Sequence, residues 1–286
     1  MIATHTPLCL GAPRFDGGRS SPGASALSTW QALLDRHGPA QAAFQVQGDF
    51  AVAFQRADGS IFMAVDRFAV RSLCYRVDGA TITFAERADH LAGHDAELDP
   101  QALFDYLYFH VIPSPSTVYS GVWRLPPGHF AVFKAGQLTV TPDWVPRVRE
   151  PTRASFNDLR EEFCGLLKGA EIRQLDGTRP ACFLSGGTDS STVAGMLAAA
   201  TGEPVTAYSI GFETEGYDEV AFSRTAARHF GVDHRQHYVT PDDLVPDIPK
   251  VETSYDQPFG NSSALPSFPL CRSGSRRWRH PDLGRR

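Results

Sequence analysis

Apolar and polar positions fall into strand-like runs over the first ~145 residues, and the spacing becomes helical from about Pro151. "DFAVAFQRADGSIFMAVDR" holds two apolar runs joined by Ala57-Asp58-Gly59-Ser60, a hairpin signal. "RSLCYRVDGATITFAE" repeats the device around Asp78-Gly79, and "GHFAVFKAGQLTVTP" repeats it around Ala135-Gly136. A short helix, "STWQALLDRHG", precedes the first hairpin and stops at Gly38. A second, "DPQALFDYLYFHV", takes Asp99 as N-cap and Pro100 at its first turn. In "SFNDLREEFCGLLKGAEI", Phe156, Leu159, Phe163, Leu166, Leu167 and Ala170 recur at helical spacing behind Ser155 as N-cap. Strands and helices then alternate through "ACFL", "STVAGMLAAATG", "VTAYSIGF", "DEVAFSRTAARHFG", "RQHYV" and "PDDLVPDIPKVE". Such alternation predicts a parallel α/β sheet. The expected organisation is an antiparallel β domain over residues 1–145, a parallel α/β domain over 151–271, and an arginine-rich stretch over 272–286.

Composition narrows the class. With 286 residues, 42% hydrophobic and 21% charged, the chain is long enough for two cores. A net charge of −5 gives no reason to expect a nucleic acid or a membrane surface as partner. The cysteines (Cys9, Cys74, Cys164, Cys182, Cys271) are odd in number and scattered, so they read neither as a disulfide framework nor as a zinc site. The N-terminal residues lack the pattern of a signal peptide, and no apolar run is long enough to span a bilayer. The reducing cytoplasm is the expected location. Trp30, Trp123, Trp144 and the aromatics from Tyr106 to Phe109 are expected in the core, and Asp66-Arg67 as an ion pair or turn. His229, His234 and His237 cluster, but "DHRQHYV" reads as turn into strand and not as a metal site.

The densest chemistry lies in "ACFLSGGTDSSTVAGML", Ala181 to Leu197. In open α/β sheets, ligands sit where strands end and helices begin. Gly186 and Gly187 let the backbone reach positive φ and come close to a ligand. The first amides of the next helix are unpaired and carry partial positive charge, which makes an anion seat. Ser185, Ser190 and Ser191 supply hydroxyls for phosphate oxygens. Asp189 would repel a bare phosphate, and its presence fits a Mg²⁺ bridging several phosphates. No lysine follows the glycines, so the loop is not of the type that grips a γ-phosphate. A plain Gly-Gly turn with a Ser/Asp helix cap is the bland alternative.

"LSGGTDSS" resembles the pyrophosphate-binding loop of the ATP pyrophosphatases, and the surrounding chain resembles their asparagine synthetase branch. The resemblance continues through Ser209-Ile210-Gly211-Phe212, Tyr217-Asp218-Glu219, "RHFGVDH" and "DQPFGNSSALPSF", and upstream through "GDFAVAFQ", "AVDRFAVRSLCYR" and "RLPPGH". It implies a reduced glutamine amidotransferase-like (Ntn-type) domain followed by an ATP-pyrophosphatase domain. The implied reaction is ATP-dependent amide formation: a carboxylate is adenylated with release of pyrophosphate, and ammonia or an amine displaces AMP. Aspartate to asparagine is the leading case. A peptide cyclase, a β-lactam synthetase-like ligase and a non-catalytic nucleotide-binding protein are the alternatives, and a homodimer is compatible with each. The resemblance assigns Leu184 and Ile210 to adenosine, Ser185, Gly186, Gly187, Asp189, Ser190 and Ser191 to pyrophosphate, and Asp189 to Mg²⁺ as well.

Two departures accompany it. Glutamine-hydrolysing members begin Met-Cys-Gly-Ile, whereas here residue 2 is Ile2 and the only early cysteine, Cys9, precedes Leu10. The amidotransferase-like region is therefore expected to be a scaffold without its nucleophile, and Cys9 a structural thiol. Asp256 occupies the first place of the family's Asp-Glu-Pro-Phe segment, but Gln257 stands where the acid belongs, so no catalytic role is assigned there. The family's Gly-Asp-Gly-(Gly/Ser)-Asp-Glu segment does not occur, and the stretch from Arg272 reads as a frameshifted end. A chain lacking that second Mg²⁺ carboxylate is expected to be catalytically weak.

Overall fold

Three short turns set the architecture of the amino-terminal half. In this computed structural model, which describes residues 6–15, 18–19, 24–148, 154–175, 179–212 and 220–268, each expected hairpin is present. β4 (Phe50–Gln55) turns at Gly59 into β5 (Ile61–Val65), β6 (Cys74–Asp78) turns at Gly79 into β7 (Thr81–Ala85), and β9 (His129–Lys134) turns at Gly136 into β10 (Gln137–Pro142). With β1 (Leu8–Gly11), the first and third hairpins form a five-stranded antiparallel sheet in the order β1-β4-β5-β9-β10. A three-stranded sheet orders β7-β6-β8, with β8 at Trp123–Arg124, and β2 (Arg14–Phe15) pairs with β3 (Gly18–Arg19).

The central strands β4 and β5 of the five-stranded sheet are buried on both faces, which explains why "FAVAF" and "IFMAV" run apolar without alternation. Phe50, Val52, Phe54, Phe62, Ala64 and Phe130 point to one side and pack under α1 (Ala24–Gln45) against Trp30, Leu34, Ala42 and Val46. Ala51, Ala53, Ile61, Met63, Val65 and Phe133 point to the other, where Leu73, Tyr75, Ile82 and Leu125 meet them. Trp30 has no exposed surface, with its ring 5.2 Å from Phe50 and 5.7 Å from Phe62. The first helix stops at Gly38 (φ 74°, ψ 171°) as expected, and Pro39 then opens a second helical stretch in the first-turn place where its missing N–H costs nothing.

The expected burial of the aromatics in this half is corrected, while the Asp99 cap and the turn at Asp66 are found. α2 (Asp89–Ala92) is a single turn. α3 (Pro100–Phe109) is capped by Asp99 but buries only Ala102 fully. Phe104, Leu107, Tyr108 and Phe109 are exposed, as is Trp123, and Trp144 is half-buried. A helix apolar all round does not reveal which face is covered; here Ala102, Leu103 and Tyr106 face Ile112 and Val118, and the aromatics stack on each other outside. Asp66 proves to be a turn residue: its carboxylate is buried and accepts from the amides of Phe50, Phe68 and Val70. Arg67 lies over the rings of Phe44 and Trp144.

The second half is built on a parallel sheet, β11 (Ala181–Phe183), β12 (Thr206–Phe212) and β13 (Asp233–Val239), in that order. α5 (Thr188–Thr201) connects the first pair, and α6 (Val220–Phe230) the second. Leu184, Ala194, Ala207 and Ala227 form its small core. Gly195 lets α5 meet α6, since a Cβ there would lie 2.6 Å from the Phe230 ring. α7 (Pro241–Leu244), a 3₁₀ turn over Val245–Asp247 and α8 (Ile248–Glu252) follow. α4 (Phe156–Gln174) has the Ser155 cap, completed as a capping box by Asp158, yet buries no side chain among the described residues. Its expected core stripe is exposed at Phe156, Leu159, Phe163 and Leu166.

The chain divides into two compact units, Met1–Arg149 with Tyr255–Gly260, and Glu150–Ser254 with Asn261–Arg286. The sequence places Tyr255–Gly260 within 151–271; the contacts group it with the first unit. Arg124 donates twice to the Asp256 carboxylate, at 2.9 and 2.8 Å, and the Ala88 amide donates to it at 2.8 Å. The Gly260 amide donates to the His110 carbonyl. Asp256 is thereby the anchor of "DQPFG" to "RLPPGH". Ile2, Tyr217-Asp218-Glu219, Cys271 and the arginine-rich stretch lie outside the described residues.

Candidate functional site

The loop from Leu184 to Ser191 lies between the end of β11 and the first turn of α5. Leu184 is fully buried and still bonded to the sheet, its amide donating to the Tyr208 carbonyl at 2.8 Å. The chain then turns through Gly186 at φ +89°. A Cβ at Gly186 would collide with the backbone of Phe222 and Ser223, 2.6 Å from the Phe222 carbonyl carbon, so glycine is required for conformation and for room. Gly187 differs: it is the helix N-cap at φ −70°, ψ 165°, with only the Ser185 hydroxyl near its missing side chain.

Ser185 and Ser190 close the loop on itself. Their hydroxyl oxygens are 2.9 Å apart, the Ser185 amide donates to Ser190 Oγ at 3.1 Å, and the Gly187 amide donates to Ser185 Oγ at 3.3 Å. α5 starts with no side-chain cap, and its first internal bond is Ser191 N–H to the Gly187 carbonyl. The amides of Thr188, Asp189 and Ser190 therefore precede any intrahelical partner, where the helix dipole is positive. Asp189 is exposed in that first turn and has no hydrogen-bond or ion-pair partner among the described residues. Ser191 is half-buried and joins the loop only through its backbone. Ile210, half-buried, sits on β12 two residues past Tyr208, which pairs with Phe183. The structure thus gathers Leu184, Ser185, Gly186, Gly187, Asp189 and Ser190 into one turn.

Beneath the loop lies a polar chain that the sequence reading did not identify. Ser209 is buried, and its hydroxyl donates to the Leu184 carbonyl and lies 2.7 Å from His234 Nε2. His234 Nδ1 is 3.3 Å from Gln236 Nε2, and Arg224 donates to Gln236 Oε1 at 2.9 and 2.7 Å. The available signal was alternation: in a strand His234 and Gln236 share a face, whereas His234 and His237 do not. His229 lies on α6 against Phe230. Among the described residues no group of three or more His, Cys, Asp or Glu could hold a metal ion. Burial holds the His234 imidazolium below its ordinary range, the Arg224 guanidinium adds to this, and Asp233 opposes it.

Residues 28–144 match the family described as Glutamine amidotransferase domain, and residues 163–277 match the family described as Asparagine synthase, in that order along the chain. The chain belongs to the asparagine synthetase family. Asparagine synthetase 1 (glutamine-hydrolyzing) of Bacillus subtilis (strain 168) is 26% identical over 252 residues, which cover 84% of this chain and 39% of that protein. Amidase chyE of Penicillium rubens is 29% identical over 212 residues, covering 66% of this chain and 31% of that protein. The chain spans less than two-fifths of the length of these relatives. The Asparagine synthase match takes in the loop, β11 to β13 and the polar chain beneath Leu184. No helix of the described residues is long and apolar enough to cross a membrane.

Proposed function

We propose that the Leu184–Ser191 loop seats the pyrophosphate of ATP, and that the chain carries the nucleotide-binding part of an amide ligase. The observation that carries this is the pairing of Gly186, locked at positive φ against α6, with an uncapped α5 whose first amides follow it. Ser185 and Ser190 offer hydroxyls beside those amides. Leu184, just past β11, and Ile210, within the neighbouring β12, would border the adenosine. The exposed, unpartnered Asp189 carboxylate is a hard oxygen donor of the kind Mg²⁺ takes. Asp189 would help to hold Mg²⁺, which when bound would supply positive charge to offset that on the phosphates.

In the reaction, a small carboxylate attacks the α-phosphorus, the bond to the bridging α–β oxygen breaks, and pyrophosphate leaves with that electron pair. The nitrogen of ammonia or an amine then attacks the acyl carbon, loses its proton, and AMP leaves. The loop's part is to bind and orient the departing pyrophosphate. Aspartate with ammonia, giving asparagine, is the leading substrate pair. A second reading, amide formation on another carboxylate, is favoured by the likeness to a fungal protein named an amidase. The first unit would serve as a glutaminase-type scaffold without a nucleophile, since Cys9 lies on β1 packed against the first core.

Mg-ATP binding and pyrophosphate release with a panel of acids and amines test this. Release with aspartate and ammonia supports the leading pair; release only with other acids supports the second reading. Asp189→Asn is expected to weaken Mg-ATP binding at least ~10-fold with the melting curve unchanged, because the residue is exposed and removes no packing. Unchanged Mg-ATP affinity in that variant would overturn the assignment of the loop.

A further inference from the structure

We infer that His234 is a positioning residue for the phosphate loop: Gln236 fixes the angle at which its ring backs the Ser209 hydroxyl against the Leu184 carbonyl, and protonation of the ring removes that fixing contact. The inference rests on the nucleotide reading of the loop and adds to it a dependence that the loop residues themselves do not show.

The direction of every hydrogen bond in the chain is fixed from one end. A guanidinium can only donate, so the Gln236 atom facing Arg224 is the carbonyl oxygen, bonded at 2.9 and 2.7 Å. The Gln236 amide nitrogen therefore faces His234 Nδ1, at 3.3 Å, and donates to it. An Nδ1 that accepts carries no proton, so the neutral ring holds its proton on Nε2 and donates it to Ser209 Oγ at 2.7 Å. The Ser209 hydroxyl, now accepting, passes its own proton outward to the Leu184 carbonyl. That carbonyl is the last one before the loop turns into Ser185 and Gly186.

Protonation of His234 leaves Nε2–H donating to Ser209 but breaks the order at Nδ1, so the ring loses the partner that sets its angle. Nδ1–H would then face the Gln236 amide protons, donor against donor. Rotating the Gln236 amide relieves that clash but sets its amide group against Arg224 and forfeits both bonds there. The charged and titratable groups around the ring act in the same scheme: Arg224 from α6 disfavours the imidazolium, Asp233 on the same strand favours it, and β12 contributes the uncharged Ser209. Because the folded state holds the histidine's proton affinity below its unfolded value, the neutral chain is fully present above the unfolded value near 6.5. It is lost as pH falls through the lower folded value.

Two measurements on the full chain test the role. Nitrogen-detected NMR of the imidazole is expected to report an Nε2–H tautomer at pH 8 and a titration below the ordinary histidine range. Mg-ATP affinity, read by calorimetry between pH 8 and pH 5, is expected to fall by an additional ~5- to 10-fold in the native protein relative to His234→Gln. This is about the effect of one neutral hydrogen bond. In that variant a neutral amide can donate to Ser209 and accept from Gln236 at any pH. Comparing the two profiles removes the titration of ATP itself. Ser209→Ala is expected to weaken binding by a similar factor at pH 8. Coincident profiles for native and His234→Gln, or an Nδ1–H tautomer, would overturn the positioning role while leaving the nucleotide reading intact. Absence of Mg-ATP binding at every pH would overturn both.

Discussion

Gly186 and Gly187 are adjacent and identical, yet the backbone asks different things of them. Gly186→Ala must hold φ near +89° and displace the Phe222–Ser223 backbone, so it is expected to destabilise the second unit by about 3 kcal/mol. Gly187→Ala meets neither demand and is expected to cost less than about 1 kcal/mol. Denaturant titration of both variants separates them, and equal losses would refute the assigned roles. The thiols also divide. Burial pushes Cys74 and Cys182 up to about 11, with the Glu171 carboxylate adding to the effect at Cys182, while Cys164 is exposed on α4. Iodoacetamide at pH 8 should therefore modify Cys164 well before either of the other two, as read by peptide mass mapping. Comparable rates at Cys182 would contradict its burial. At this scale the sequence was most legible where one residue has one use: Asp99 and Ser155 are caps and Gly38 is a stop, because few side chains can serve those places. Ser209 and His234 stayed illegible because their partners come from three separate elements.

Among elements, the strands announced themselves through their turns and the helices through their caps, but burial did not follow from either. α3 and α4 carry apolar residues on more than one face, so their patterns admit two orientations and tertiary packing chose the one with aromatics outward. The Tyr255–Gly260 segment lies inside the Asparagine synthase match, yet its contacts group with the first unit. It is held to the first unit by the Arg124–Asp256 ion pair, whose side chains are 20% and 15% exposed, and by hydrogen bonds with Arg87, Ala88, His110 and Val118. No local pattern encodes a partner so distant in the chain. Asp256→Ala strands the Arg124 charge and the Ala88 amide, and is expected to cost the first unit about 3 kcal/mol. It should also open the 255–260 segment to proteolysis. An unchanged denaturation midpoint would show that the pair carries no stability.

Taken as a whole, the molecule keeps its largest apolar side chains in the first unit and leaves many of the second unit's exposed. Phe163 and Leu166 on α4 are 60% and 63% exposed. Such surface favours self-association. Phe163→Glu with Leu166→Glu is expected to shift sedimentation towards the monomer while changing stability by less than about 0.5 kcal/mol, since neither side chain is buried. A stability loss of several kcal/mol would mean that α4 is packed in solution.

The grouping of Tyr255–Gly260 with the first unit bears on the order of events during synthesis. Domains commonly fold as they emerge, amino terminus first. Here Arg124 must wait for a carboxylate 132 positions later in the chain. The two large sheets of the first unit can form early from nearby hairpins. Ala88, His110 and Val118 acquire their last hydrogen-bond partners only after the whole parallel sheet of the second unit has been translated. The first unit is begun before the second and finished after it, so a ribosome stalled anywhere between residues 150 and 254 would hold an incomplete first unit whatever its amino-terminal sequence.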